Sequence, residues 1–148
     1  MRDLVLYKIH VRTSDLKGVG TDANVFLSIT GALDSVQSLE LKYDEDRADK
    51  FESGSEDVFE FHLPALGDII SVKVSRDNFV DFASAWHLQD VEIIDTTARK
   101  SFLFKCCQWL SKHEGPATIE KKYDSESNLL ISLMLDKPEV QMLSDLYR

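Results

Sequence analysis

Val5, Tyr7, Ile9 and Val11 alternate one for one with Leu6, Lys8, His10 and Arg12. Successive side chains of an extended strand point to opposite faces, so this spacing predicts a strand buried on one side. The next segment repeats it: Ala23, Val25, Leu27 and Ile29 share one face, and Asp22 and Asn24 share the other. Further strands are expected at Val36–Leu41, Val58–Leu63, Ile69–Ser75, Trp86–Asp95, Ser101–Cys107, Thr118–Tyr123 and Leu129–Asp136. Polar or turn-forming stretches separate them at Asp44–Ser55, Pro64–Asp68 and His113–Pro116. Many short strands with few helical patterns constrain the chain to an antiparallel β-sandwich. The exception is the C-terminus, where Pro138 precedes Val140, Leu143 and Tyr147 at helical spacing and predicts one short helix.

Composition bounds the function. At 148 residues and 43% hydrophobic content, the chain can bury one sizeable core. Its net charge of −9 and the lack of a basic stripe argue against nucleic acid. The same charge repels an anionic bilayer unless bound cations neutralise the acidic groups nearest the lipid. No apolar run approaches a membrane span and the N-terminus lacks a signal-peptide core, so the expectation is a soluble, intracellular chain. Adjacent Cys106 and Cys107 offer no long-range cross-link, and a strand points one inward and the other outward. His10, His62, His87 and His113 lack zinc spacing. With no nucleophile elbow, phosphate loop or dinucleotide fingerprint, the chain is not expected to be an enzyme.

The turn Gly18-Val19-Gly20-Thr21-Asp22-Ala23-Asn24-Val25 delivers two oxygen-bearing side chains to a strand tip. Its glycines permit positive φ and open carbonyls, so carbonyl, carboxylate and amide oxygens can converge there for a hard cation such as calcium. Calcium takes roughly six to eight oxygens, so one turn is insufficient. Two more oxygen-rich turns exist. Phe51-Glu52-Ser53-Gly54-Ser55-Glu56-Asp57 opens a strand behind Asp44, Glu45, Asp46 and Asp49, and Arg76-Asp77-Asn78 closes another. Each turn alone reads more readily as a solvated loop than as a ligand set.

Taken in order, Tyr7-Lys8-Ile9-His10-Val11-Arg12-Thr13, the glycine turn, the Phe51–Asp57 stretch, Leu66-Gly67, Arg76-Asp77-Asn78, Trp86 and Phe104-Lys105-Cys106-Cys107-Gln108-Trp109-Leu110 resemble the PLAT domain of polycystins, lipoxygenases and alpha-toxins. The resemblance covers Leu6 to Lys122 and is nearest to polycystin-like and tandem-repeat modules. It implies an eight-stranded antiparallel sandwich over residues 1–124; residues 125–148 match no motif of the family and are expected from their own pattern to form an extension, strand plus short helix, that packs on the sandwich or extends from it. The extension's apolar stripe suits either docking on the sandwich or a partner interface.

The resemblance also implies a peripheral module, cytoplasmic and non-catalytic, that binds phospholipid headgroups with calcium. Transferred by motif, the calcium ligands are the carbonyls of Gly18 and Thr21 and the side chains of Asp22, Asp49, Glu52, Asp77 and Asn78, with Asn24 as a further candidate. Lys50 departs from relatives that carry an acidic residue there, which places one of two metal positions in question. Leu16 and Val19 flank the glycine turn and Phe79, Val80 and Phe82 follow Asp77-Asn78, so these five residues are the apolar groups for insertion to headgroup depth. Phe79 and Phe82 could instead fold onto the core, and Trp86 and Trp109 read as packing residues. The alternative function is a protein-interaction adaptor in which calcium is structural or absent.

Overall fold

The computed structural model describes residues 3–15, 24–43, 50–76, 86–110 and 118–124. These build eight strands: β1 Leu4–Thr13, β2 Val25–Gly31, β3 Ser35–Glu40, β4 Glu56–Pro64, β5 Ile69–Arg76, β6 Trp86–Asp95, β7 Lys100–Leu110 and β8 Thr118–Lys122. One four-stranded sheet runs β4-β1-β6-β7 and the other β3-β2-β5-β8, with every described pairing antiparallel. The segments 129–136 and 138–147 lie outside the described residues.

Alternation drives the layering. Val5, Tyr7, Ile9 and Val11 of β1 point into the core with Val25, Leu27 and Ile29 of β2, while Lys8, His10 and Arg12 cover the outer face of their sheet. Burial of such side chains contributes roughly 1.5–3 kcal/mol each before conformational entropy is subtracted. Phe59, Val72, Val74, Trp86, Ile93, Phe102, Phe104 and Ile119 complete the interior from the other strands. The Tyr7 hydroxyl, buried with its ring, accepts the Leu66 backbone N–H at 2.8 Å and fixes the β4–β5 connection over the core.

The register sorts the connections to two ends. Short turns at 32–34, 65–68 and 96–99 close one end, where Gly31 passes so near the chain that a Cβ would lie 2.1 Å from the Leu66 carbonyl oxygen. At the opposite end β1 pairs with β4 through Arg12 and Glu56, β2 with β5 through Val25 and Arg76, and β6 with β7 through Trp86 and Leu110. The Arg76 guanidinium donates to the Leu110 carbonyl at 3.2 Å, which joins the two sheets there. The four longer connections, 14–24, 41–55, 77–85 and 111–117, therefore all spring from this one end.

Two tryptophans in strands have different fates. Trp86 is fully buried, as its strand position predicts, and donates its indole N–H to Thr13 Oγ1 at 3.0 Å. Trp109 is packed but is not a core residue: it lies half-buried opposite His87, ring edge against ring at 4.8 Å. Its phase is set by a bulge, because β6 and β7 slip register between Leu88 and Asp90, with Cys107 at φ 48°. Cys106 stays inward and Cys107 outward, as strand geometry requires.

Candidate functional site

The end bearing the long connections is organised by one buried carboxylate. Asp57 sits in the second position of β4, on the inward face with Phe59. It accepts the Tyr43 hydroxyl at 2.6 Å, the Phe51 backbone N–H at 2.8 Å and the Ser55 hydroxyl at 3.1 Å. These bonds replace the water that a buried charge gives up. They also hold Phe51 in the left-handed region, φ 59°, which costs a bulky residue energy and needs support from its surroundings. The buried Phe51 ring packs 5.1 Å from that of Trp86 and 5.8 Å from that of Phe59.

This anchoring fixes the turn that carries Glu52. The Glu52 carbonyl accepts the Ser55 N–H at 3.0 Å, leaving its side chain exposed. Gly54 follows at φ 72° and donates its N–H to the Ser14 carbonyl at 3.1 Å. A Cβ on Gly54 would lie 3.0 Å from Asp15 Oδ1, so glycine keeps the end of β1 and this turn in contact. Ser14 binds back to β6, its hydroxyl 2.6 Å from His87 Nδ1 and its N–H on the His87 carbonyl at 3.1 Å.

Of the ligands expected from sequence, Glu52 and Asn24 are described, both exposed and both at this end, Asn24 directly ahead of β2. Gly18, Thr21, Asp22, Asp49, Asp77 and Asn78 lie outside the described residues, as do Leu16, Val19, Phe79, Val80 and Phe82. Their segments run between strand ends at this end of the sandwich: Thr13 to Val25, Glu40 to Glu56, and Arg76 to Trp86. Asp15 is an acidic residue of this end that motif reading passed over. Carboxylates and an amide from Asp15, Glu52 and Asn24 are the oxygen chemistry a hard cation takes. Among the described residues no group of three or more His, Cys, Asp or Glu side chains is itself arranged as a metal site. Lys50 places its ammonium 5.7 Å from the centre of the Phe51 ring, which sets a positive charge over the residue that leads into Glu52.

A second charged cluster covers the outer face of the β1 sheet. Arg12 reaches Glu56, Asp90 and Glu92, each at 2.7 Å, and His10 Nδ1 lies 3.1 Å from Glu56. Hydrogen bonding to Arg12 holds the Glu56 carboxyl below its usual range. Burial pushes Asp90 up despite the same guanidinium. Burial also works against Glu92, yet the Ser101 hydroxyl and Arg12 outweigh it and hold that carboxyl low. Cys106 is chemically quiet, since burial pushes its thiol up to about 12.

An eight-stranded antiparallel sandwich with its long connections gathered at one end defines a β-sandwich module. The chain belongs to the PLAT/LH2 domain family, whose model matches residues 7–123. It is 35% identical over 121 residues to mouse lipoxygenase homology domain-containing protein 1, which covers 82% of this chain and 6% of that relative. The chain thus spans about 6% of the length of this relative. Among solved structures, a coral 8R-lipoxygenase superimposes with TM-score 0.66 at 24% identity, covering 80% of this chain and 17% of the enzyme. A calcium-dependent 11R-lipoxygenase matches at TM-score 0.59 and 28% identity, covering 80% and 17%.

Replacing Asp57 by Ala strands the Tyr43 hydroxyl and Phe51 N–H without their acceptor, so urea denaturation is expected to register a loss of about 2–4 kcal/mol. An unchanged midpoint would contradict this role. The Arg12 cluster yields a pH prediction. Glu56 and Glu92 titrate low in the folded state, so their stabilisation is complete above the ordinary carboxylate range and fades as pH falls through their depressed values. Asp90, titrating high, has the opposite sign. Arg12→Met removes the shared partner and should cost about 1–3 kcal/mol near pH 7, scaled down from a fully buried pair because solvent reaches the cluster. The deficit should shrink as the carboxylates take up protons; a deficit equal at pH 7 and pH 4 would assign the loss to packing alone.

Proposed function

We propose that this chain is a non-catalytic calcium-binding module that attaches to phospholipid surfaces through the end of the sandwich bearing the long connections. The observation that carries the reading is the convergence of strand ends: the segments containing Asp22, Asp49 and Asp77 all spring from the end where Asn24, Asp15 and Glu52 are held. Gly18 and Thr21 carbonyls, with Asp22, Asn24, Asp49, Glu52, Asp77 and Asn78, would hold the ion. Bound calcium would supply positive charge that cancels the acidic field and offers coordination to headgroup phosphate. The chain's own part is to present oxygens on a braced turn and, beside them, Leu16, Val19, Phe79, Val80 and Phe82 for burial at the acyl boundary. The calcium dependence named for the 11R-lipoxygenase relative supports the choice of ion. Lys50 on the facing loop weakens the second of two metal positions, so a single ion toward Asp22 and Asp77, with Glu52 reaching it from that loop, is the expected stoichiometry. Attachment in this mode suits a peripheral protein of the cytoplasmic leaflet, whose anionic lipids repel the calcium-free chain.

Sedimentation with phosphatidylserine vesicles tests the reading. Pelleting should require calcium, disappear with Asp22→Ala, and weaken about tenfold with Phe79→Ser, the loss expected from one aromatic withdrawn from the interface. Pelleting indifferent to chelation and to both substitutions would exclude lipid attachment by this route and favour the adaptor.

A further inference from the structure

Among the described residues each sheet has two edge strands, β4 and β7 in one and β3 and β8 in the other. An edge strand offers N–H and C=O groups to any further strand, and folded proteins blunt such edges with bulges, charge or brevity. The edges at β3, β7 and β8 are blunted. β3 breaks register with β2 between Leu27 and Ile29, and its Ser38 sits at φ 54°. β7 breaks register with β6 between Leu88 and Asp90, and its Cys107 sits at φ 48°. β8 is five residues long and ends in Glu120, Lys121 and Lys122. β4 has none of these interruptions. It runs nine residues and pairs with β1 in one unbroken register, and β1 is its one neighbour among the described residues.

The cover over β4 thins along its length. Asp57 and Phe59 are buried, whereas Phe61 and Leu63, the next two residues on the same core-facing side, are only half-buried although they pack against the core. On the opposite face Glu60 and His62 are exposed. Across the ladder to β1, Glu60 stands opposite Lys8 and His62 opposite Leu6.

We propose that the β4 edge pairs with the β4 edge of a second copy, antiparallel about a two-fold axis beside Phe61, so that the sheet β4-β1-β6-β7 continues from one chain into the next. Directly opposed residues of an antiparallel pair share a face of the sheet, which limits the open registers to those that keep parity. With the axis beside Phe61, Glu60 meets His62 of the second copy, and symmetry makes that carboxylate–imidazole pair twice. On the core-facing side Phe61 meets Phe61 and Phe59 meets Leu63, so the half-covered apolar groups cover one another. The neighbouring registers are poorer. An axis beside Glu60 sets that carboxylate against itself, and an axis beside His62 sets the imidazole against itself. An axis beside Phe59 sets Phe61 against the Asp57 carboxylate and draws on Glu56, already held by Arg12 and His10, to meet His62. The proposal is independent of the calcium reading, because residues 58–64 run away from the end that carries the long connections.

Analytical ultracentrifugation of the full chain in a calcium chelator tests it. Wild type should pass reversibly from monomer to dimer as its concentration rises from micromolar toward millimolar. His62→Glu opposes two pairs of carboxylates and should weaken the dimer about tenfold, and adding Glu60→Lys restores opposite charge and should return the dimer to wild-type strength or beyond. A chain monomeric over the whole range, a dimer indifferent to His62→Glu, or a double variant no stronger than His62→Glu would overturn the proposal. Both positions are exposed, so the substitutions leave the core untouched. Cysteine pairing reads the register separately. In a Cys107→Ser background, Glu60→Cys and His62→Cys chains mixed together should oxidise to a disulfide-linked dimer about tenfold faster than either alone, since opposed residues meet the Cα spacing a disulfide needs and diagonal ones exceed it. Faster cross-linking by either variant alone, or none in the mixture, would overturn the proposal.

Discussion

The Asp57 carboxylate is the constraint on which the loop-bearing end of this sandwich depends. Three hydrogen bonds converge on it, from Tyr43, Phe51 and Ser55, and through them a strained Phe51 is locked against Trp86. Trp86 in turn bonds Thr13, and the chain beyond Thr13 reaches the Gly54 turn through Ser14. Asp57 thus couples the turn bearing Glu52 to the ends of β1 and β6. Such bracing suits the proposed cation site, because oxygens held apart by a rigid frame lose less entropy on binding.

The two charged regions of the molecule do different work. The Arg12 cluster pairs three carboxylates with one guanidinium across three neighbouring strands, so its charges are spent on registering β4, β1 and β6. At the end of the sandwich the acidic side chains of Asp15 and Glu52 project from turns whose backbone groups make the stabilising bonds. That division is why the proposed cation belongs to the loop end and not to the sheet face.

Period-two alternation made the eight described strands legible in the sequence, with boundaries displaced by a few residues at most, because all but β3 bury residues on one face. Trp109 packs as its strand position suggests, but against His87 outside the core, because the bulge at Cys106 and Cys107 resets the phase, and a bulge depends on pairing that a single strand's sequence does not encode. Asp57 carried a readable signal, two residues before Phe59 on the buried face, masked by the acidic run around it. Arg12 carried none for its partners, which lie 44 to 80 residues away and meet through register. The candidate ligands came from motif order, which is why Asp15, outside those motifs, was missed.

Anomalous diffraction from crystals grown with calcium tests the central claim most directly. The account predicts a calcium peak at the end of the sandwich beyond Val25 and Arg76, ligated by Asp22 and Asp77. A calcium peak confined to the Arg12 face, or none at saturating calcium, would contradict it.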